Sequence, residues 1–164
     1  MWHPEPVQAG ITPDPTLLTW LREPGLLTAR LREQCGDNFR LQLVNETQQR
    51  AHATDLYRQV ALCCGEEPCI FAESRIPLAT ANAHFWLRDL GNEPLGERLQ
   101  KRGDVKRGRF VFAIVEPARL PGWIQDAIAG NDQPLWARRS DFYIGDEELT
   151  VTEIFLPAVL DCGN

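Results

Sequence analysis

Leu56-Tyr57-Arg58-Gln59-Val60-Ala61-Leu62-Cys63 and Cys69-Ile70-Phe71-Ala72-Glu73-Ser74-Arg75-Ile76 are the runs whose reading decides the fold. In both, the side chains follow a period of two, as they do in strands with two different faces. Gly65-Glu66-Glu67-Pro68 lies between them, and so short a link makes the pair an antiparallel hairpin. The same alternation marks 39–44 and 109–115, and returns at 136–144 and 148–156 around a Gly145-Asp146 turn.

Outside these runs the period lengthens to that of a helix. Asp14-Pro15 supplies an N-cap and a proline for the first helical position, and Leu17, Leu18 and Leu21 bury one face of a helix ending near Arg22. Pro24-Gly25 breaks it, and Leu27, Leu31 and Cys35 share one face of a second helix that stops at Gly36. Helical signals recur at 80–90 and 94–102, ended by Gly91 and Gly103, and a short helix is expected at 121–129. Strands grouped together with helices between the groups predict an α+β domain with an antiparallel sheet. Residues 1–12 read as a flexible, loosely attached tail, and 13–164 as a single domain.

Parity along the strands singles out two charges. Arg58 shares its face with Leu56, Val60 and Leu62, and Glu153 shares its face with Leu149, Val151 and Phe155. A buried charge left without a partner costs on the order of 3–5 kcal/mol, so each must be compensated. Either they sit in an internal salt bridge, or they face a cavity that takes a ligand anionic at one end and hydroxylated at the other. Parity does not choose between these. Arg138 and Arg139 are adjacent in their strand, so one points inward and the other outward. His52 and His84 have no Ser or Cys nearby in a nucleophile arrangement and read as surface residues.

Composition narrows the function classes. With 17 Lys and Arg against 23 Asp and Glu, the net charge is −6, which argues against a nucleic-acid partner. The basic run Lys101-Arg102…Lys106-Arg107…Arg109 reads as a solvated helix end and strand start, with an anion-steering or membrane-surface patch as the alternative. No apolar run approaches the ~20 residues of a membrane helix, and Met1-Trp2-His3-Pro4-Glu5-Pro6 lacks the form of a secretory signal. A cytoplasmic protein, expected as a monomer, follows. The five cysteines are irregularly spaced and are expected as reduced, buried thiols. Cys63-Cys64-x4-Cys69 with distant histidines fits a zinc site poorly, so no metal is expected.

Several blocks in register resemble the chorismate pyruvate-lyase family over nearly the whole chain. They are Leu17-Leu18-Thr19-Trp20-Leu21, Arg58 with Gly65-Glu66-Glu67-Pro68, Leu90-Gly91-Asn92-Glu93-Pro94-Leu95-Gly96, Trp136-Ala137-Arg138-Arg139-Ser140, and Leu149 through Pro157. The resemblance implies a six-stranded antiparallel sheet with helix-turn-helix flaps over a buried ligand. It implies an enzyme of ubiquinone biosynthesis that needs no cofactor and converts chorismate to 4-hydroxybenzoate and pyruvate. Arg58 would bind the ring carboxylate, Glu153 the ring hydroxyl, and the backbone at Leu27 and Leu95 would also contact the ligand. Where the family carries Ala-Arg-Ser/Thr, this chain reads Ala72-Glu73-Ser74-Arg75, so Arg75 is expected to serve the departing enolpyruvyl group. The same fold is similar to the effector domains of some bacterial transcription regulators, which leaves a non-catalytic module that binds 4-hydroxybenzoate or another small aromatic acid as the alternative.

Overall fold

A computed structural model describes residues 1–47 and 55–162, and His52 falls outside them. Seven strands among the described residues form one antiparallel sheet: β1 (Phe39–Thr47), β2 (Leu56–Cys64), β3 (Glu67–Ile76), β4 (Val105–Arg107), β5 (Val111–Val115), β6 (Leu135–Ile144) and β7 (Glu147–Phe155). The spatial order is β1-β2-β3-β7-β6, with β4 and β5 both paired along the far edge of β6. The fold is thus the expected α+β domain. Its strand count exceeds six because β4, three residues long, is too short to show an alternation.

Five α-helices among the described residues accompany the sheet: α1 (Pro15–Leu21), α2 (Leu27–Cys35), α3 (Leu78–Ala83), α4 (Leu95–Arg102) and α5 (Gly122–Ala127). Trp20, Leu21, Leu27 and Leu31 pack on Val60, Leu62, Ile70 and Phe155 of the sheet's front face. Farther along that face Leu95 and Leu99 of α4 meet Leu56, Ile76, Phe142 and Leu149. The back face is only partly covered: Ile124 of α5 lies with Ala61, Phe71, Ala137 and Ile154. The helix expected at 80–90 is shorter, because His84 leaves the helical region (φ −133°, ψ 78°) and a 3-10 turn, Phe85–Arg88, follows. His84 makes an edge contact with the Trp86 ring.

Two further expectations need correction. The first residues are docked: His3 and Phe112 exchange backbone hydrogen bonds of 2.8 and 2.7 Å, Pro6 is buried, and the Trp2 ring lies 4.5 Å from the Arg139 guanidinium. The thiols are not all reduced either, since Cys35 at the end of α2 and Cys64 at the end of β2 form a disulfide with a Cα–Cα separation of 5.6 Å. That pairing joins segments 29 residues apart, a proximity that irregular spacing along the chain could not reveal. No described helix is long and apolar enough to cross a membrane.

The entry into α1 follows the sequence reading closely. Asp14 Oδ1 accepts from the amides of Thr16 at 2.8 Å and Leu17 at 3.3 Å, and Pro15 occupies the first helical position. Asp14→Ala is expected to lower stability by about 1 kcal/mol in urea unfolding with an unchanged m value.

Candidate active site

Strand register assembles the site. Arg58 of β2 stands opposite Ser74 of β3, and Ser74 opposite Val151 of β7. Glu153 stands opposite Ala72 on one side and Arg138 of β6 on the other. Cross-strand partners share a face, so all six project to the front, under the helices. There the first turns of α2 and α4, with Leu26, Leu27, Pro94, Leu95 and Gly96, roof a cavity of about 60 Å³ whose floor includes Arg58, Ser74, Val151 and Glu153. Arg107 and Phe142 complete its wall.

Arg58 is 2% exposed, and its Nη2 donates to the carbonyl oxygens of Gly91 and Glu93, both at 2.9 Å. Gly91 has φ +55°, a left-handed conformation that a side chain would oppose. Those carbonyls lie just before α4, so the arginine on the cavity floor also ties down one flap. Arg138 does the same for the other. It is fully buried, and its Nη1 donates to Leu21 O at 3.3 Å, at the end of α1, and to Glu23 O at 2.7 Å, in the link to α2.

Glu153 is the anion that pairs with Arg138. Its Oε2 accepts from Arg138 Nε at 2.6 Å and lies 3.7 Å from Arg107 Nη2. It is therefore a salt-bridge member and a cavity residue at once. Arg107 also donates from Nε to Ser140 Oγ at 3.0 Å, and its guanidinium stands 4.4 Å from the Phe110 ring and 4.9 Å from that of Phe142. Burial pushes Arg107 down to about 10, with Arg138 adding to the shift and Glu153 opposing it. A further anion in the cavity would relieve that cost.

The two flap helices contribute in a different way. Neither N-cap residue, Leu26 of α2 or Pro94 of α4, makes a side-chain cap hydrogen bond. Helix N-termini with open amides favour negative charge, and both of these begin at the cavity roof.

Leu27, Arg58, Leu95 and Glu153 thus come together around one cavity, and Arg75 does not join them. Its register partner in β2 is Tyr57, so it projects from the back face, where its Nε donates to Asp55 Oδ2 at 2.6 Å and its side chain is 56% exposed. That aspartate raises the Arg75 pKa through a hydrogen bond and its charge. Glu73 shares the back face and accepts from Gln59 Nε2 at 2.6 Å. Of the two neighbouring arginines, Arg138 points inward and Arg139 outward. Arg107 was missed because it belongs to a basic run in which the residues on either side give no strand period.

The sequence pattern of the chorismate lyase family matches residues 4–162. A relative from Idiomarina loihiensis named probable chorismate pyruvate-lyase is 36% identical, over 94% of this chain and 84% of its own length. Relatives of the same name from Shewanella sp. (strain ANA-3) and Dechloromonas aromatica are 34% and 32% identical. They cover 90% and 92% of this chain and 83% and 92% of their own lengths.

The ion pair and the exposed arginine should respond differently to truncation. Arg138→Ala, which leaves Glu153 only its 3.7 Å contact with Arg107 and frees the α1–α2 link, is expected to cost about 3 kcal/mol in denaturant unfolding. Arg75→Ala is expected to stay within about 0.5 kcal/mol of the parent.

Proposed function

We propose that this chain, which belongs to the chorismate lyase family, is a chorismate pyruvate-lyase that splits chorismate into 4-hydroxybenzoate and pyruvate. The observation that carries the reading is the roofed cavity with Arg58 on one side, Glu153 and Arg107 on another, and two helix N-termini above. Chorismate is a dianion with a dihydro ring. Breaking the C3–O bond and removing the C4 proton makes the ring aromatic, and the enolpyruvate that leaves takes up a proton and tautomerises to pyruvate. Aromatisation supplies the driving force, so the protein's task is positioning and charge stabilisation.

Arg58, its plane fixed by the Gly91 and Glu93 carbonyls, binds the ring carboxylate. The first-turn amides at Leu27 and Leu95 add donors from the roof. Glu153, held by Arg138, orients the C4 hydroxyl and takes part in proton transfer. Arg107 faces the cavity, which Arg75 does not, and it stabilises the departing enolpyruvyl oxygen. A product enclosed by both flaps leaves slowly, and that gives product inhibition. The reaction stands at the first committed step of ubiquinone biosynthesis, in the cytoplasm.

Purified protein incubated with chorismate should release 4-hydroxybenzoate and pyruvate in equal amounts. Glu153→Gln should lower kcat by a factor of about 10²–10⁴. Product formation unchanged in that variant would remove Glu153 from the chemistry. Binding of 4-hydroxybenzoate with no turnover by the parent protein would make the chain a binding module. Arg58→Ala should weaken 4-hydroxybenzoate by about 10- to 100-fold, the worth of a charge-assisted hydrogen bond.

A further inference from the structure

Four of the five cysteines gather far from the cavity roof. Cys35 ends α2, Cys64 ends β2, Cys69 lies in β3, and Cys162 follows the last 3-10 turn, Pro157–Asp161. All four line one open cleft of about 700 Å³. The sulfurs of Cys35, Cys64 and Cys162 lie within 4.8 Å of one another, and Cys69 Sγ is 3.2 Å from Cys162 Sγ. Cys63, the remaining cysteine, turns to the opposite side and is fully buried in the back-face core.

A bracing disulfide between Cys35 and Cys64 needs two sulfurs, and it gives no reason for two more beside it. A tetrahedral metal does. Zinc–sulfur bonds of about 2.3 Å put thiolates about 3.8 Å apart. The Cys35, Cys64 and Cys162 sulfurs fall within 4.8 Å of one another, and Cys69, outside that group of three, reaches it through Cys162 at 3.2 Å, so it is the ligand that must move inward as the disulfide opens. Cys64 and Cys69 flank the β2–β3 turn with four residues between them, the spacing of a ligand pair on a hairpin. The open cleft supplies an entry path.

We propose that in the reduced protein Cys35, Cys64, Cys69 and Cys162 bind one Zn²⁺ as four thiolates, and that the Cys35–Cys64 disulfide is the metal-free, oxidised form of the same site. A dithiol reductant delivers two electrons and two protons to the disulfide and is itself oxidised to a disulfide. The resulting four thiols release four protons as the metal binds. In the other direction a disulfide oxidant takes two electrons from the Cys35 and Cys64 thiolates, is reduced to two thiols with two protons from solvent, and expels Zn²⁺. Because Cys35 ends the helix whose first turn roofs the cavity, the metal clamps the outer end of that flap.

The test uses the full chain, reduced with a phosphine, freed of reductant under nitrogen and titrated with Co²⁺. One equivalent should bind, giving the visible bands of tetrahedral cobalt and thiolate charge transfer, both bleached by Zn²⁺. Cys69→Ser and Cys162→Ser should each weaken binding and lose about a quarter of the charge-transfer intensity, one bond in four. Cys63→Ser should leave the spectrum unchanged. Reduced protein that takes up neither metal overturns the site. So does uptake that is indifferent to Cys162→Ser while circular dichroism shows the variant folded. Peptide mapping that finds Cys69–Cys162 as a second disulfide, in protein that never binds metal, would replace the metal site with a thiol relay.

Discussion

The 2.6 Å contact between Arg138 and Glu153, made inside the sheet, is the interaction on which the site depends. Neither group would be tolerated there alone, since an uncompensated buried charge costs a large share of a domain's stability. Paired, they leave Arg138 with donors for the carbonyls of Leu21 and Glu23 and leave Glu153 on the cavity floor. Arg58 repeats the arrangement on the other side, held by the carbonyls that lead into α4. Each flap therefore hangs from an arginine rooted in a strand; Arg58 is also part of the cavity floor, and Arg138 acts on that floor through Glu153.

This construction suits an anionic ligand. Among the described residues the floor and wall of the cavity carry Arg58, Arg107 and Glu153, with Arg138 behind the carboxylate and two helix N-termini above. Phe110 and Phe142 shield Arg107 and strip it of water, which is why burial is the main cause of its lowered pKa. A charge held at that cost gains from a second anion more than a solvated lysine would, and the enolpyruvyl oxygen departing in the proposed elimination would supply one. The electrostatics of the cavity and the proposed elimination thus ask for the same arrangement of charge.

Much of this was legible in the strands. Arg58 and Glu153 stood out because each interrupts an apolar face at an even spacing, and a one-residue shift would have put both on the opposite face of the sheet. Arg75 could not be placed that way. β3 is buried on both faces from Pro68 through Ala72, so its sequence does not say which side is which, and only the register with Tyr57 settles it. Arg107 was hidden for the opposite reason, because β4 is three residues long and its neighbours Lys106 and Arg109 made it look like part of a solvated run. The docking of the first residues rests on the backbone bonds between His3 and Phe112 of β5, which no side-chain period encodes, and the sulfur cluster joins positions separated by most of the chain.

The most direct measurement is a crystal structure of the protein with 4-hydroxybenzoate bound. The account predicts the ring in the cavity under Leu27 and Leu95, its carboxylate on Arg58, its hydroxyl on Glu153, and Arg75 untouched on the back face. A ring seated elsewhere, for example in the separate cleft lined by Ile11, Leu17 and Trp136, or turned so that its carboxylate meets Arg107 instead of Arg58, would contradict it.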